Sequence, residues 1–166
     1  MSLPKLVFTD IDGVWTDGGM YYDESGNEWK KFHTYDSAGV LFLKRLGILT
    51  CFISGESSLC IQRRADKLNI DHVILDSKSK LEDATRLTMK LGIEIKDCAY
   101  IGDDINDLTL LSHVGYSAAP ISALDYVKSK VQIVTRTPGG KGAFREFVET
   151  MLLRNGYGKD WFVKAF

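Results

Sequence analysis

The chain lacks what a nucleic-acid binder or a membrane protein would carry. Its 166 residues hold 21 Lys and Arg against 22 Asp and Glu, a formal net charge of −1. That leaves no basic footprint for nucleic acid or an anionic bilayer. Unbroken apolar runs such as Val40-Leu41-Phe42-Leu43 are brief, whereas a spanning helix needs about 20 such residues. The stretch "MSLPKLVF" has neither the charged region nor the long apolar segment of a secretory leader, so a cytoplasmic protein is expected. Cys51, Cys60 and Cys98 are odd in number and show no C-x-x-C spacing. They read as reduced thiols in or near a core, not as staples or zinc ligands. No repeat, low-complexity tract or Pro/Gly linker divides the chain, so a single domain over residues 1–166 is expected, with 45% hydrophobic residues to build its core.

What is present is an alternation. Short β-branched and apolar runs at 5–9, 48–53, 72–75, 98–101, 116–118 and 132–134 are predicted strands. Helical periodicity marks 37–46, 57–68, 80–91, 106–111 and 142–154. Such alternation predicts an α/β fold, a doubly wound and mainly parallel sheet with helices on both faces. Ligands of such sheets sit beyond the carboxyl ends of the strands. The segment "GGMYYDESGNEWKKFHTYD", residues 18–36, breaks the pattern. Two aromatic-rich arms around Ser25-Gly26-Asn27 predict a β-hairpin, either a flap or a subunit contact.

The chemistry-bearing residues follow strands. In "KLVFTDIDGVW" an apolar run ends in Asp10 and Asp12, which an extended chain points to one side, and Gly13 lets the chain bend. Far downstream, "AYIGDDINDLTLL" ends another strand with Asp103, Asp104 and Asp107. If the two strands are neighbours, several carboxylates converge, and their repulsion calls for a hard divalent cation with oxygen ligands, such as Mg2+. Between these groups "CFISGE" offers the Ser54 hydroxyl and the Gly55 amide, and "SKSKLED" puts Lys80 at a helix start. Hydroxyl, amide, ammonium and metal together describe a phosphoryl cradle. No Gly-rich P-loop is present, which argues against a nucleoside-triphosphate site.

The order D-x-D-G-V, S-G, K, then G-D-D-x-x-D, each after a strand, resembles the haloacid dehalogenase superfamily of phosphatases over essentially the whole chain. The resemblance implies Asp10 as the nucleophile, forming an aspartyl-phosphate, and Asp12 as general acid and then base. It implies Mg2+ held by Asp10, the backbone carbonyl of Asp12, and Asp103, with Asp107 orienting Lys80 or a metal-bound water. Ser54 and Lys80 would bind the non-bridging oxygens. The gap between Asp12 and Ser54 leaves room only for the hairpin and one helix, so the chain looks like the capless class. In that class the substrate is a small sugar-acid phosphate, and a homotetramer places one subunit's surface over its neighbour's site.

Within the class, Glu56 follows Ser54-Gly55 where the 3-deoxy-manno-octulosonate 8-phosphate branch usually has arginine. "SGESSLCIQRRADKL" and "FHTYDSAG" look more like the branch acting on nine-carbon 9-phosphates, those of 2-keto-3-deoxynononate or an N-acylneuraminate. A Glu56–Lys67 pair positioning Arg64 for the substrate carboxylate is expected on that reading, with Thr34 and Gly55 facing the sugar or phosphate. Two alternatives remain: the octulosonate 8-phosphate phosphatase of lipopolysaccharide synthesis, and a non-catalytic assembly module beside a CMP-sialic acid synthetase. A receiver domain also carries an acceptor aspartate, but it lacks the second acid that Asp12 supplies.

Overall fold

The computed structural model describes residues 2–165, and its layering follows from alternation within short buried strands. In chain order the elements are β1 (Leu6–Thr9), β2 (Tyr21–Tyr22), β3 (Glu28–Trp29), α1 (Asp36–Arg45), β4 (Leu49–Ile53), α2 (Leu59–Leu68), β5 (His72–Ile74) and α3 (Lys80–Leu91). There follow β6 (Cys98–Ile101), α4 (Leu108–Leu111), β7 (Tyr116–Ala119), α5 (Asp125–Lys128), β8 (Ile133–Val134), α6 (Ala143–Arg154) and α7 (Lys159–Lys164). Six strands form one parallel sheet in the order β5-β4-β1-β6-β7-β8. Leu6 and Phe8 face a core with Ala84 of α3 and Leu110 and Leu111 of α4. Val7 faces the other core, with Phe42 of α1 and Phe144 and Phe147 of α6. The doubly wound expectation therefore holds, because strands buried on both faces need a helical layer on each.

From β1 the chain steps outward to β4 and β5, then returns through α3 to β6 on the other side of β1. The reversal lies between β1 and β6, where such sheets open a crevice. Register makes the strand ends level: Thr9 lies opposite Phe52 on one side and Ile101 on the other. Asp10, Ser54 and Asp103 therefore leave the sheet along one edge. The expected strand and helix boundaries shift by a residue or two. The 106–111 segment is a 3-10 turn over Ile105–Asp107 that runs into α4. Helices α5 and α7 and a 3-10 turn at Ile95–Asp97 were not expected, since each is too short to show a period.

The hairpin forms as an antiparallel pair, with Tyr21 opposite Trp29 and Tyr22 opposite Glu28. Asp23 builds its turn: Oδ1 accepts from the Ser25 and Asn27 amides, each at 2.9 Å, and Oδ2 from Asn27 Nδ2 at 2.7 Å. Those bonds, above all the one from the Asn27 side chain, hold its carboxyl well below the usual range. All three cysteines are free.

Asp36 opens α1 but serves another helix. Its Oδ1 accepts from the Arg145 amide in the first turn of α6, at 3.1 Å, while Oδ2 is buried without a partner. Burial pushes its pKa up to about 7, against the lowering effect of the Arg145 and Phe144 amides and of Arg64. The folded protein thus keeps a proton that the unfolded chain, at 3.8, has released. Stability from this group is full below the lower value and drains as pH rises toward the upper one. Asp36→Asn keeps the acceptor without the charge. It should raise the thermal midpoint by roughly 4 °C more at pH 8 than at pH 5, as read by scanning calorimetry.

Candidate active site

The first acid pair is set by how β1 ends. Asp10 prolongs the strand by one bond, its amide donating to the Ile101 carbonyl at 3.0 Å, and the residue is buried. The chain then turns at Gly13, with φ +83°. A Cβ there would lie 1.9 Å from Asp103 Oδ2, so only glycine lets the two acidic loops meet. Asp12 Oδ1 accepts from Lys30 Nζ at 2.7 Å and Thr16 Oγ1 at 3.4 Å, and Oδ2 is buried without a partner.

Lys80 stands in the first turn of α3, where the helix dipole disfavours a cation. Its side chain is nonetheless turned inward, 2.9 Å from Asp10 Oδ1 and 2.5 Å from Asp107 Oδ1. Burial works against the ammonium, but the two carboxylates outweigh it and raise its pKa. Asp107 is fully buried. Besides Lys80, its Oδ1 accepts from the Tyr100 hydroxyl, and its Oδ2 accepts from the Asp103 and Asp104 amides at 2.8 and 3.0 Å. Both oxygens are thus committed to hydrogen bonds within the fold.

Carboxylate oxygens of Asp10, Asp103 and Asp107 lie within 4.8 Å of one another. Lys80 pairs with Asp10 and Asp107, leaving three acids against one cation, and the imbalance appears in their titration. Burial, then Asp107, drives Asp10 well above the carboxylate range, although Lys80 opposes it. Burial, then Asp107 and Asp104, pushes Asp103 up to about 7. Asp103 Oδ1 is buried with no hydrogen-bond partner. An unpartnered buried oxygen beside crowded carboxylates fits a cation site, and an all-oxygen donor set of few carboxylates fits Mg2+. Since Asp107 is saturated, Asp10 and Asp103 are the side chains available to hold it. The Asp104 Oδ1 is instead engaged in capping the turn, accepting from the Ile105 amide at 2.7 Å.

A cavity of about 230 Å³ opens here, lined by Asp10, Asp12, Gly13, Gly18, Ser54, Gly55, Glu56, Lys80, Asp103, Asp104 and Asn106. Ser54 is buried, and its Oγ accepts from the Glu56 amide at 3.0 Å. The other three expected substrate residues stand elsewhere. Thr34 lines a separate depression with Tyr35, Ser37 and Arg145. Arg64 donates through Nη2 to the His33 carbonyl at 3.3 Å and Ser37 Oγ at 3.0 Å, its guanidinium over Phe32 and Trp15. Lys67 is exposed on α2, and no ion pair joins it to Glu56 among the described residues. The expected Glu56–Lys67 brace is thus not formed within the chain, and Arg64 is anchored to the start of α1. The glycine loop before α6 packs on this chain's own first acidic loop, the Gly140 amide donating to the Val14 carbonyl at 3.0 Å.

Sequence reasoning missed Lys30, Thr16, Tyr100 and Asn106. Tyr100 left one signal: a buried tyrosine hydroxyl needs a partner, and the acids begin three residues on. Lys30 left none.

Comparison with known proteins adds an independent line. A family model described as haloacid dehalogenase-like hydrolase matches residues 56–145. The 3-deoxy-D-manno-octulosonate 8-phosphate phosphatase of Haemophilus influenzae is 39% identical over 92% of this chain and 84% of its own. That of Escherichia coli K12 is 33% identical over 92% of this chain and 81% of its own. The crystal structure of 3-deoxy-D-manno-octulosonate 8-phosphate phosphatase from Moraxella catarrhalis, in complex with a magnesium ion, a phosphate ion and a KDO molecule, superposes with a TM-score of 0.92. It is 37% identical, with 98% of this chain and 93% of that chain covered. These relatives are named for the eight-carbon ester, so the nine-carbon preference read from Glu56, Arg64 and Lys67 finds no support in them.

Proposed function

The chain belongs to the haloacid dehalogenase-like hydrolase family, and from that premise we propose that it is a Mg2+-dependent phosphatase of 3-deoxy-D-manno-octulosonate 8-phosphate that works through a phosphorylated Asp10. The observation that carries the chemistry is that Asp10, Asp103 and Lys80 line one cavity, with the buried Asp107 behind them holding Lys80 and lying within 4.8 Å of both other carboxylates. An assembly module would have no use for a buried lysine among three acids. The substrate rests on the near full-length similarity to named octulosonate phosphatases.

The steps assign themselves to atoms. A carboxylate oxygen of Asp10 attacks phosphorus; the acyl-phosphate bond forms as the ester P–O bond breaks. Asp12, through Oδ2, gives a proton to the departing sugar oxygen. The same oxygen then takes a proton from the water that splits the acyl-phosphate, releasing phosphate and restoring Asp10. Two of the three Lys80 N–H donors engage Asp10 and Asp107, leaving one for a phosphoryl oxygen beside the Ser54 hydroxyl and Gly55 amide. When bound on Asp10, Asp103 and the Asp12 carbonyl, Mg2+ supplies positive charge against the phosphoryl oxygens.

A cavity of about 230 Å³ is below the ~300–1,000 Å³ of complete small-molecule sites. It holds the phosphoryl end and leaves the sugar acid under the ribbon, whose Tyr22 and Trp29 are 64% and 62% exposed. Those outward aromatics support a homotetramer in which a neighbour roofs the site. The test is kinetic: eight- and nine-carbon sugar-acid phosphates and an aryl phosphate, assayed with Mg2+ and after chelation, on protein of measured solution mass. The expected result is a tetramer's mass, activity lost on chelation, and kcat/KM about tenfold or more in favour of the eight-carbon ester. The reverse order would restore the nine-carbon substrate, and a monomer's mass would remove the roof. Phosphate release from none would end the enzymatic reading.

A further inference from the structure

The ribbon turns a charge inward and an aromatic outward, the reverse of what burial favours. Glu28 and Lys30 lie two residues apart on one side of an extended arm, and Trp29 between them faces solvent at 62% exposure. The Lys30 side chain is 2% exposed; its Nζ lies 2.7 Å from Asp12 Oδ1 and 3.2 Å from Glu28 Oε1. Burying an ammonium removes its hydration, and a surface ribbon gains nothing from doing so for stability alone. What the arrangement achieves is at Asp12. Lys30 and Thr16 both claim Oδ1, so Oδ2 is the oxygen left without a hydrogen-bond partner.

We infer that Lys30 is a positioning residue for the acid–base step: the ribbon carries it onto Asp12 and fixes which carboxylate oxygen exchanges protons with leaving group and water. This rests on the phosphoenzyme reading above. The ribbon is then part of the reaction centre as well as a cover, and seating it is what aims Asp12.

The test uses Lys30→Met in the full chain, with p-nitrophenyl phosphate and the sugar-acid phosphate as substrates. On the sugar ester, whose alkoxide must be protonated, kcat/KM should fall about 10- to 100-fold. On the aryl ester, whose phenolate leaves without a proton, kcat/KM should stay within about threefold, while kcat drops as water attack becomes limiting. Asp12→Asn should show the same split, and Lys30→Arg should recover part of the loss. Equal losses of kcat/KM on both esters, or none on either, would overturn the inference. Lys30→Gln stands in should the Met variant not fold; if neither neutral variant folds by circular dichroism, the lysine is structural and the inference fails. Failure of the underlying reading looks different: wild-type protein would release phosphate from neither ester.

Discussion

Asp10→Asn should abolish phosphate release, with kcat down at least about a thousandfold, and leave the fold intact. The amide keeps the size of the side chain and its place at the end of β1, but it cannot attack phosphorus. Stability should hold or rise. Burial and the charge of Asp107 already drive the Asp10 carboxyl well above its usual range, so the folded state disfavours its ionised form. Removing that charge relieves repulsion within the acid cluster at the cost of one ion-pair partner for Lys80, 2.9 Å away. Phosphate release and a denaturation midpoint, measured side by side, check both halves. Turnover within tenfold of wild type would take the nucleophile's role from Asp10.

Asp107→Ala should injure both stability and rate. Its carboxylate accepts from Lys80, the Tyr100 hydroxyl and the amides of Asp103 and Asp104, and nothing of it is exposed. Truncation takes one of two carboxylate partners from a buried ammonium and strands a buried phenol and two amides. Breaking one buried ion pair costs about 3–5 kcal/mol. Here Asp10 still holds Lys80, so a loss of about 3 kcal/mol is expected, read as a lower urea midpoint. Turnover should fall about a hundredfold, because the loop carrying Asp103 loses its anchor and Lys80 can shift off the phosphoryl position. A stable variant with unchanged kcat would show that Asp107 positions nothing.

Much of the site could be read before the fold was known, and for an identifiable reason. In a parallel sheet every functional loop leaves from a strand's carboxyl end, so motifs that follow strands share one edge whatever their separation. Asp10, Ser54, Lys80 and Asp103 are spread over 94 positions and still meet at one cavity. The expected substrate contacts depend on less local geometry. A Glu56–Lys67 pair positioning Arg64, and Thr34 facing the sugar, were the expectations; within one chain Glu56 and Gly55 line the cavity while Thr34, Arg64 and Lys67 lie outside it. Arg64 turns to His33 and Ser37, partners 31 and 27 positions away that no helical period relates to it.

The residues hidden from the sequence are those whose partners come through a change of direction. Lys30 reaches Asp12 only because the ribbon folds back over the end of β1, and Asp36 caps a helix 109 positions away. Composition, alternation and motif order by themselves determined the α/β class, the strand count of the main sheet, the shared edge and the kind of chemistry there. These depend on local backbone preference and on charge, which neighbouring residues encode. Tertiary structure alone decided which oxygens are saturated, which stay unpartnered, and which cations turn inward. Those depend on distance and burial between chain-remote groups, and both fall off within a few ångströms, below what spacing along a chain can specify.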